Sequence, residues 1–273
     1  MGHFKADFLL GLRLIYHSRL LGVVFWIFLL LLVGFYLAVQ FSARQMATVS
    51  MDVGLSIIRF VMPVLIVLFV QELFGREFER KLHLSSFACP RGRTVWLLSR
   101  LLAILCIVFS ALICLVTVLA MLSAYAMSLY HQSTVISLGT PYLITVGMLA
   151  LDLAVVAAVA ILLAVSARTP SFVLLGVLGF VLVARSYTPL IELLSANPYV
   201  VEGFADPRIY KESMGLLAFV LPDLGRLDVR MIALYNDMAF LPADWPLLVV
   251  AISAYIVFLL SLSVWVLNKR EFS

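Results

Sequence analysis

The chain has 273 residues, of which 64% are apolar and only 12% charged, with a mean hydropathy of +1.13 and a formal net charge of +4. Soluble domains carry about 45–50% apolar and about 25% charged residues, so a wholly water-solvated fold is excluded and lipid must be the solvent for most of the surface. The positive charge is better explained by basic residues gathered on one side of a membrane than by nucleic acid, and three scattered cysteines, Cys89, Cys106 and Cys114, read as small buried hydrophobes rather than a disulfide framework or metal site.

The first element is the segment 1–19. Phe4, Phe8, Leu12 and Ile15 fall on one helical face and Lys5, Arg13, His17 and Arg19 supply cations. That pattern predicts a short amphipathic helix in a headgroup layer, or else a basic tail that only sets orientation. Apolar runs near the ~20 residues that a bilayer core requires follow. They predict spans at Leu20–Phe41, about Val53–Phe74, about Thr94–Ser123, about Pro141–Val165, about Ser171–Leu194 and about Pro246–Leu267. The first is too long for the ~7–15-residue apolar core of a signal peptide and is read as a retained span. The third exceeds a simple crossing and is expected to tilt or protrude.

Between the second and third spans, acids and bases interleave over Arg76–Lys81, and Leu82, Leu84 and Phe87 follow before Pro90 and Gly92. A short amphipathic helix of this kind plugs into a groove on a soluble partner. A solvated loop whose charges merely fix orientation is the competing reading. The fourth span carries Ala150, Ala154 and Ala158 at intervals of four, and the fifth has Gly176 and Gly179, both patterns of close helix packing. Between the fifth and sixth spans, about 195–245, seven acids face four bases and two apolar stretches, Met214–Leu221 and Val229–Leu234, flank Pro222 and the residues after it. Short helices capping one end of the bundle are expected there.

Orientation follows from the basic residues. With the N-terminus inside, Lys5, Arg13, Arg19, Arg76, Arg80, Lys81, Arg91, Arg93, Arg100, Arg168, Lys269 and Arg270 lie on the cytoplasmic side, and Arg44, Arg208, Lys211, Arg226 and Arg230 outside. Twelve against five places both termini in the cytoplasm. Trp26, Tyr36, Trp96, Tyr142, Tyr187, Trp245, Tyr255 and Trp265 fall mostly near span ends and read as interfacial anchors. Arg59, Asp152 and Arg185 remain inside spans. Each charge costs about 2.5–3.5 kcal/mol or more at mid-bilayer, so pairing of Asp152 with Arg59 or Arg185 is expected, with a substrate or gating role as the alternative. Arg59 is placed about two turns from the outer end of its span.

The run Glu72, Arg76-Glu77-x-Glu79-x-Lys81-Leu82, then Pro90-x-x-Arg93 before a long span, resembles the permeases of the ABC-2 export family. Leu221-Pro222-Asp223-Leu224 and Leu227-Asp228-x-Arg230 are similar to the group containing the nitrous-oxide-reductase maturation permease, although Lys81-Leu82 stands where many relatives carry Gly-Thr-Leu. The resemblance implies an all-α membrane protein of six transmembrane helices with an ABC-2 (type V exporter-like) fold in a bacterial inner membrane. It makes Arg76, Glu77, Phe78, Glu79, Lys81, Leu82, Leu84 and Phe87, within a coupling helix at about 75–88, the docking surface for a cytoplasmic ATPase. No G-x-x-x-x-G-K-[ST] occurs, so this chain is not expected to be an enzyme or to hold a cofactor; ATP and Mg²⁺ belong to the partner, in two copies. A second permease copy or paralogue is implied, together with contact to membrane lipid, no nucleic acid, and a candidate periplasmic partner. Mechanical transmission to such a partner without solute transport is the nearest alternative. A secondary transporter or intramembrane enzyme is the more distant one.

Overall fold

A computed structural model describes residues 2–16, 20–42, 45–79, 93–129, 136–167, 169–196 and 221–269. In chain order these form α1 (Gly2–Tyr16), α2 (Leu20–Phe41), α3 (Met46–Glu79), α4 (Arg93–Leu129), α5 (Thr140–Ser166), α6 (Pro170–Ala196), a 3₁₀ turn at Gly225–Leu227, α7 (Arg230–Tyr235), a second 3₁₀ turn at Met238–Phe240, and α8 (Trp245–Lys269). No strand occurs among the described residues. Five of the helices, α2, α3, α4, α5 and α8, contain stretches long and apolar enough to cross a membrane, and α6 holds a shorter apolar stretch at Pro170–Ser186. The chain is an all-α, multi-pass membrane protein.

Sequence chemistry sets the helix limits. Pro141 occupies the first turn of α5, and Pro170 opens α6, where a missing N–H costs nothing. Asn236 ends α7 in the left-handed region at φ 53°, which an asparagine tolerates better than most residues. The spanning helices are longer than their apolar runs suggest. The second begins at Met46 and continues through Glu79, where Arg76, Glu77 and Glu79 are good helix formers past the apolar stretch, and α4 extends to Leu129.

α5 is the central helix. Leu153, Val155, Val156, Ala157, Ala158, Ala160, Ile161 and Val165 are all inaccessible, and α3, α4, α6, α7 and α8 pack around it. Lipid supplies no hydrophobic drive between helices, so close packing of small residues holds such a bundle. Ala157, Ala158 and Ala160 provide it on α5. On α3, Gly54 does the same: a Cβ there would lie 2.3 Å from Leu119 Cδ1 and 3.0 Å from its Cδ2. α2 lies on α3 and α8 on α5, each turning aromatic and aliphatic side chains outward, such as Trp26, Phe41, Leu247 and Phe258.

Several expected placements change. Cys106 and Cys114 are exposed on α4 rather than buried, since in a lipid-solvated helix an apolar residue is as well placed outside as inside; Cys89 lies outside the described residues. Trp96 and Tyr142 are buried instead of anchoring an interface: Tyr142 Oη donates to the Val116 carbonyl at 2.6 Å, and Trp96 stacks edge-on with Phe74. Trp26, Tyr36, Trp245 and Trp265 do face outward. Arg100, counted with the connecting loops, is 1% exposed within α4, 6.0 Å from the Trp96 ring. α1 covers it, since a Cβ on Gly11 would meet Arg100 Nη1 at 2.9 Å, and Ile15 of the N-terminal stripe is fully buried.

Candidate functional site

Arg59 stands thirteen residues into α3, which at ~1.5 Å per residue is ~20 Å from its start. The two-turn estimate is therefore corrected: the extra residues 46–52 put Arg59 near mid-helix. Pro63, four residues later, lacks the N–H that would bond the Arg59 carbonyl. The freed carbonyl accepts from Arg185 Nη1 of α6 at 2.8 Å. Arg185 Nη2 donates to Asp152 Oδ2 of α5 at 2.5 Å, and Arg59 Nε lies 3.9 Å from the same oxygen. The three intramembrane charges read from the sequence thus meet at one point, and a backbone acceptor created by proline helps fix them.

The sequence reading placed no further partner in this cluster, yet there are four. Asp228 pairs with Arg59 Nη1 and lies 3.5 Å from Arg230 Nε. Arg230 Nη1 donates to the Ser56 hydroxyl and sits 3.0 Å from Asp52 Oδ1, an ion pair without hydrogen-bond alignment. Three arginines and three aspartates therefore form one network with no net charge. Side-chain exposure rises along it, from 1% at Asp152 to 17% at Arg59, 25% at Asp228, 31% at Arg230 and 43% at Asp52. A gradient from dry core to open surface, with charges paired at each step, is the arrangement that depth in a membrane demands.

Asp228 and Arg230 reach this depth because the segment 221–235 re-enters the bundle. Leu224, Leu227, Val229, Ile232, Ala233 and Leu234 are buried among α3, α5 and α6. Non-helical backbone survives inside a membrane protein only where its polar groups find partners. Here Leu224 N donates to Ala184 O at 3.2 Å, Arg59 Nη2 to Leu224 O at 2.9 Å, and Thr145 Oγ1 to Val229 O at 3.4 Å. Ser137 N donates to Ala233 O at 3.0 Å. Asp223 Oδ1 accepts from Gly225 N at 3.1 Å and starts the 3₁₀ turn. The segment expected as a cap thus continues inward as a plug.

A cavity of about 20 Å³, the size of one water molecule, lies between Arg59, Thr145, Asp152 and Asp228. Beside it, Ser56, Arg59, Phe60, Arg185, Gly225, Asp228 and Arg230 line an open-sided cleft of about 300 Å³. Farther out, Arg226 Nη2 donates to Asp244 Oδ1 at 2.6 Å, and this hydrogen bond holds the exposed Asp244 carboxyl below the usual carboxylate range.

Of the docking residues, Arg76, Glu77, Phe78 and Glu79 continue α3 with no break after Phe74, and Lys81, Leu82, Leu84 and Phe87 lie outside the described residues. No group of three or more metal-ligating side chains occurs among the described residues. Compared with known proteins, the sequence matches no family model and no curated protein.

Proposed function

We propose that the chain is the six-span permease subunit of an ATP-driven ABC transporter of ABC-2 type, with both termini in the cytoplasm of a bacterium and α6 as the fifth span. The observation that supports it is the continuity of α3. One unbroken helix carries Asp52, Ser56 and Arg59 of the charge network and, five turns on, the mixed-charge sequence Arg76–Glu79. A helix of 34 residues, ~51 Å long, is a lever between a water-facing docking end and a buried polar site.

In this reading a separate ATPase supplies nucleotide chemistry, and two copies of the permease, or one with a paralogue, complete the transporter. Closure of two ATPase subunits on ATP draws the docking segments together. α3 transmits the motion, and the pairs of Arg59 and Arg230 with the re-entrant segment are remade as the bundle alternates between its two states. Ion pairs suit such a switch because each state can satisfy the same charges with different partners.

The test is mutational. Phe78→Ala, Phe87→Ala and Glu79→Lys remove candidate anchors and a register-setting charge from a small interface. Each is expected to release a co-expressed ATPase on purification or to uncouple its hydrolysis, while the permease still folds. Changes at His131 and Gln132, on the opposite side in this orientation, do neither. Wild-type capture and coupling in all three variants refutes the docking assignment.

A further inference from the structure

The open-sided cleft has an imbalance that the network as a whole lacks. Three arginines line it, and Asp228 is the one acid among its lining residues, Asp152 lining the smaller cavity instead. The lining therefore presents three guanidinium groups to one carboxylate, although Arg185 and Arg230 are also paired with Asp152 and Asp52. Asp228 divides its carboxylate between Arg59 and Arg230, and Arg185 Nε is a buried donor with no hydrogen-bond partner among the described residues. Guanidinium groups converging in this way match the oxygens of a phosphate, sulfate or carboxylate through bidentate hydrogen bonds. The Ser56 hydroxyl stands beside them.

The rim is apolar. Phe60, next to Arg59 and lining the cleft, is 72% exposed, and Leu182, one turn before Arg185 on α6, is also exposed. Both lie on helices whose outer faces meet lipid. A free inorganic anion makes no use of an exposed phenyl ring at the mouth of its site; an anion bearing a hydrocarbon chain does.

We propose that the cleft between α3, α6 and the re-entrant segment binds an amphipathic anion, its headgroup held by Arg59, Arg185 and Arg230 and its apolar part laid against Phe60. That this ligand is cargo rests on the permease reading; that it binds does not. Asp228 is then an internal carboxylate that keeps the arginines neutralised until an external anion takes its place, so ligand entry and release of the re-entrant segment are one event.

The test uses the full chain, purified in a neutral maltoside detergent without any ATPase, and titrates dodecyl phosphate, inorganic phosphate and uncharged dodecanol, reading binding by thermal shift and microscale thermophoresis. Dodecyl phosphate is expected to bind saturably and at least about tenfold more tightly than inorganic phosphate, with dodecanol inert. Loss of one charge-assisted contact in Arg230→Gln should weaken dodecyl phosphate by about tenfold or more. Phe60→Ala, which leaves the ionic network intact, should weaken dodecyl phosphate and leave inorganic phosphate unchanged. Should Arg230→Gln fail to fold, Arg230→Lys keeps the charge but not the planar fork and is expected to weaken binding as well. Equal binding of phosphate and dodecyl phosphate, unaffected by Phe60→Ala, overturns the amphipathic ligand in favour of a free anion. Absence of saturable binding, or binding indifferent to Arg230 and Phe60, overturns the site. Because no ATPase is present, these failures are separable from failure of ATPase docking.

Discussion

The pair Asp152–Arg185 sits at the driest point of the charge network, and the costs of removing its two members should not add. Asp152→Asn strips a 1%-exposed carboxylate from Arg185 at 2.5 Å and from Arg59 at 3.9 Å, leaving Arg59 with Asp228 and Arg185 with no ion pair among the described residues. Breaking a buried pair in this way costs about 3–5 kcal/mol. Arg185→Gln leaves Asp152 with only the longer contact to Arg59 and takes the donor from the Arg59 carbonyl, so its cost falls in the same range. The double variant removes one charge of each sign, so net charge is unchanged, and Arg59 retains Asp228. Its loss should fall short of the sum by about 1–3 kcal/mol. Equilibrium unfolding in mixed detergent, followed by tryptophan fluorescence, measures all three. Asp152→Asn with Arg226→Gln is the control: Arg226 bridges Asp244 elsewhere, so those losses should add to within about 0.5 kcal/mol. Additive losses for Asp152 and Arg185 would refute the network as a coupled unit.

Other consequences are equally specific. Pro63→Ala restores an N–H that competes with Arg185 for the Arg59 carbonyl, so Pro63→Ala and Arg185→Gln should be non-additive in the same unfolding assay; additivity would mean the proline is incidental. Gly54→Ala drives a methyl group into Leu119 and should cost about 1–3 kcal/mol, with the Gly54→Ala/Leu119→Ala double losing less than the sum. The Arg226 hydrogen bond depresses Asp244, so its small stabilising effect is fully present above the ordinary carboxylate range and lost as pH falls through the depressed value. Arg226→Gln should move the Asp244 titration to higher pH in a carbon-13 NMR experiment, whereas no movement would break that link.

Membrane character and the placement of the long helices were legible in composition and run length, because an apolar stretch of ~20 residues has few other uses. Arg59, Asp152 and Arg185 were legible for the same reason: charges inside such stretches stand out. Their partners were harder to see. Asp52, Asp228 and Arg230 sit in sequence that reads as connecting segment, and only tertiary packing folds 221–235 back among the helices. One clue was available: Leu227-Asp228-x-Arg230 places an acid and a base amid apolar residues that a solvated loop has no need of. Pro63 four residues after Arg59 was another, since it marks a carbonyl in want of a donor. The burial of Arg100 was not legible, because a basic residue near a helix start looks the same whether water or α1 covers it.

The account turns on α3 carrying motion from its docking end to the charge network. Spin labels at Val49 on α3 and Met231 on α7, both exposed, flank the network without entering it. They would be placed in a chain whose three cysteines have been replaced, purified with its ATPase. Electron–electron resonance distances with and without ATP measure the coupling directly. The account predicts that ATP shifts the distance distribution and that Glu79→Lys abolishes the shift. An ATPase that binds and hydrolyses ATP while the distance stays fixed would contradict it.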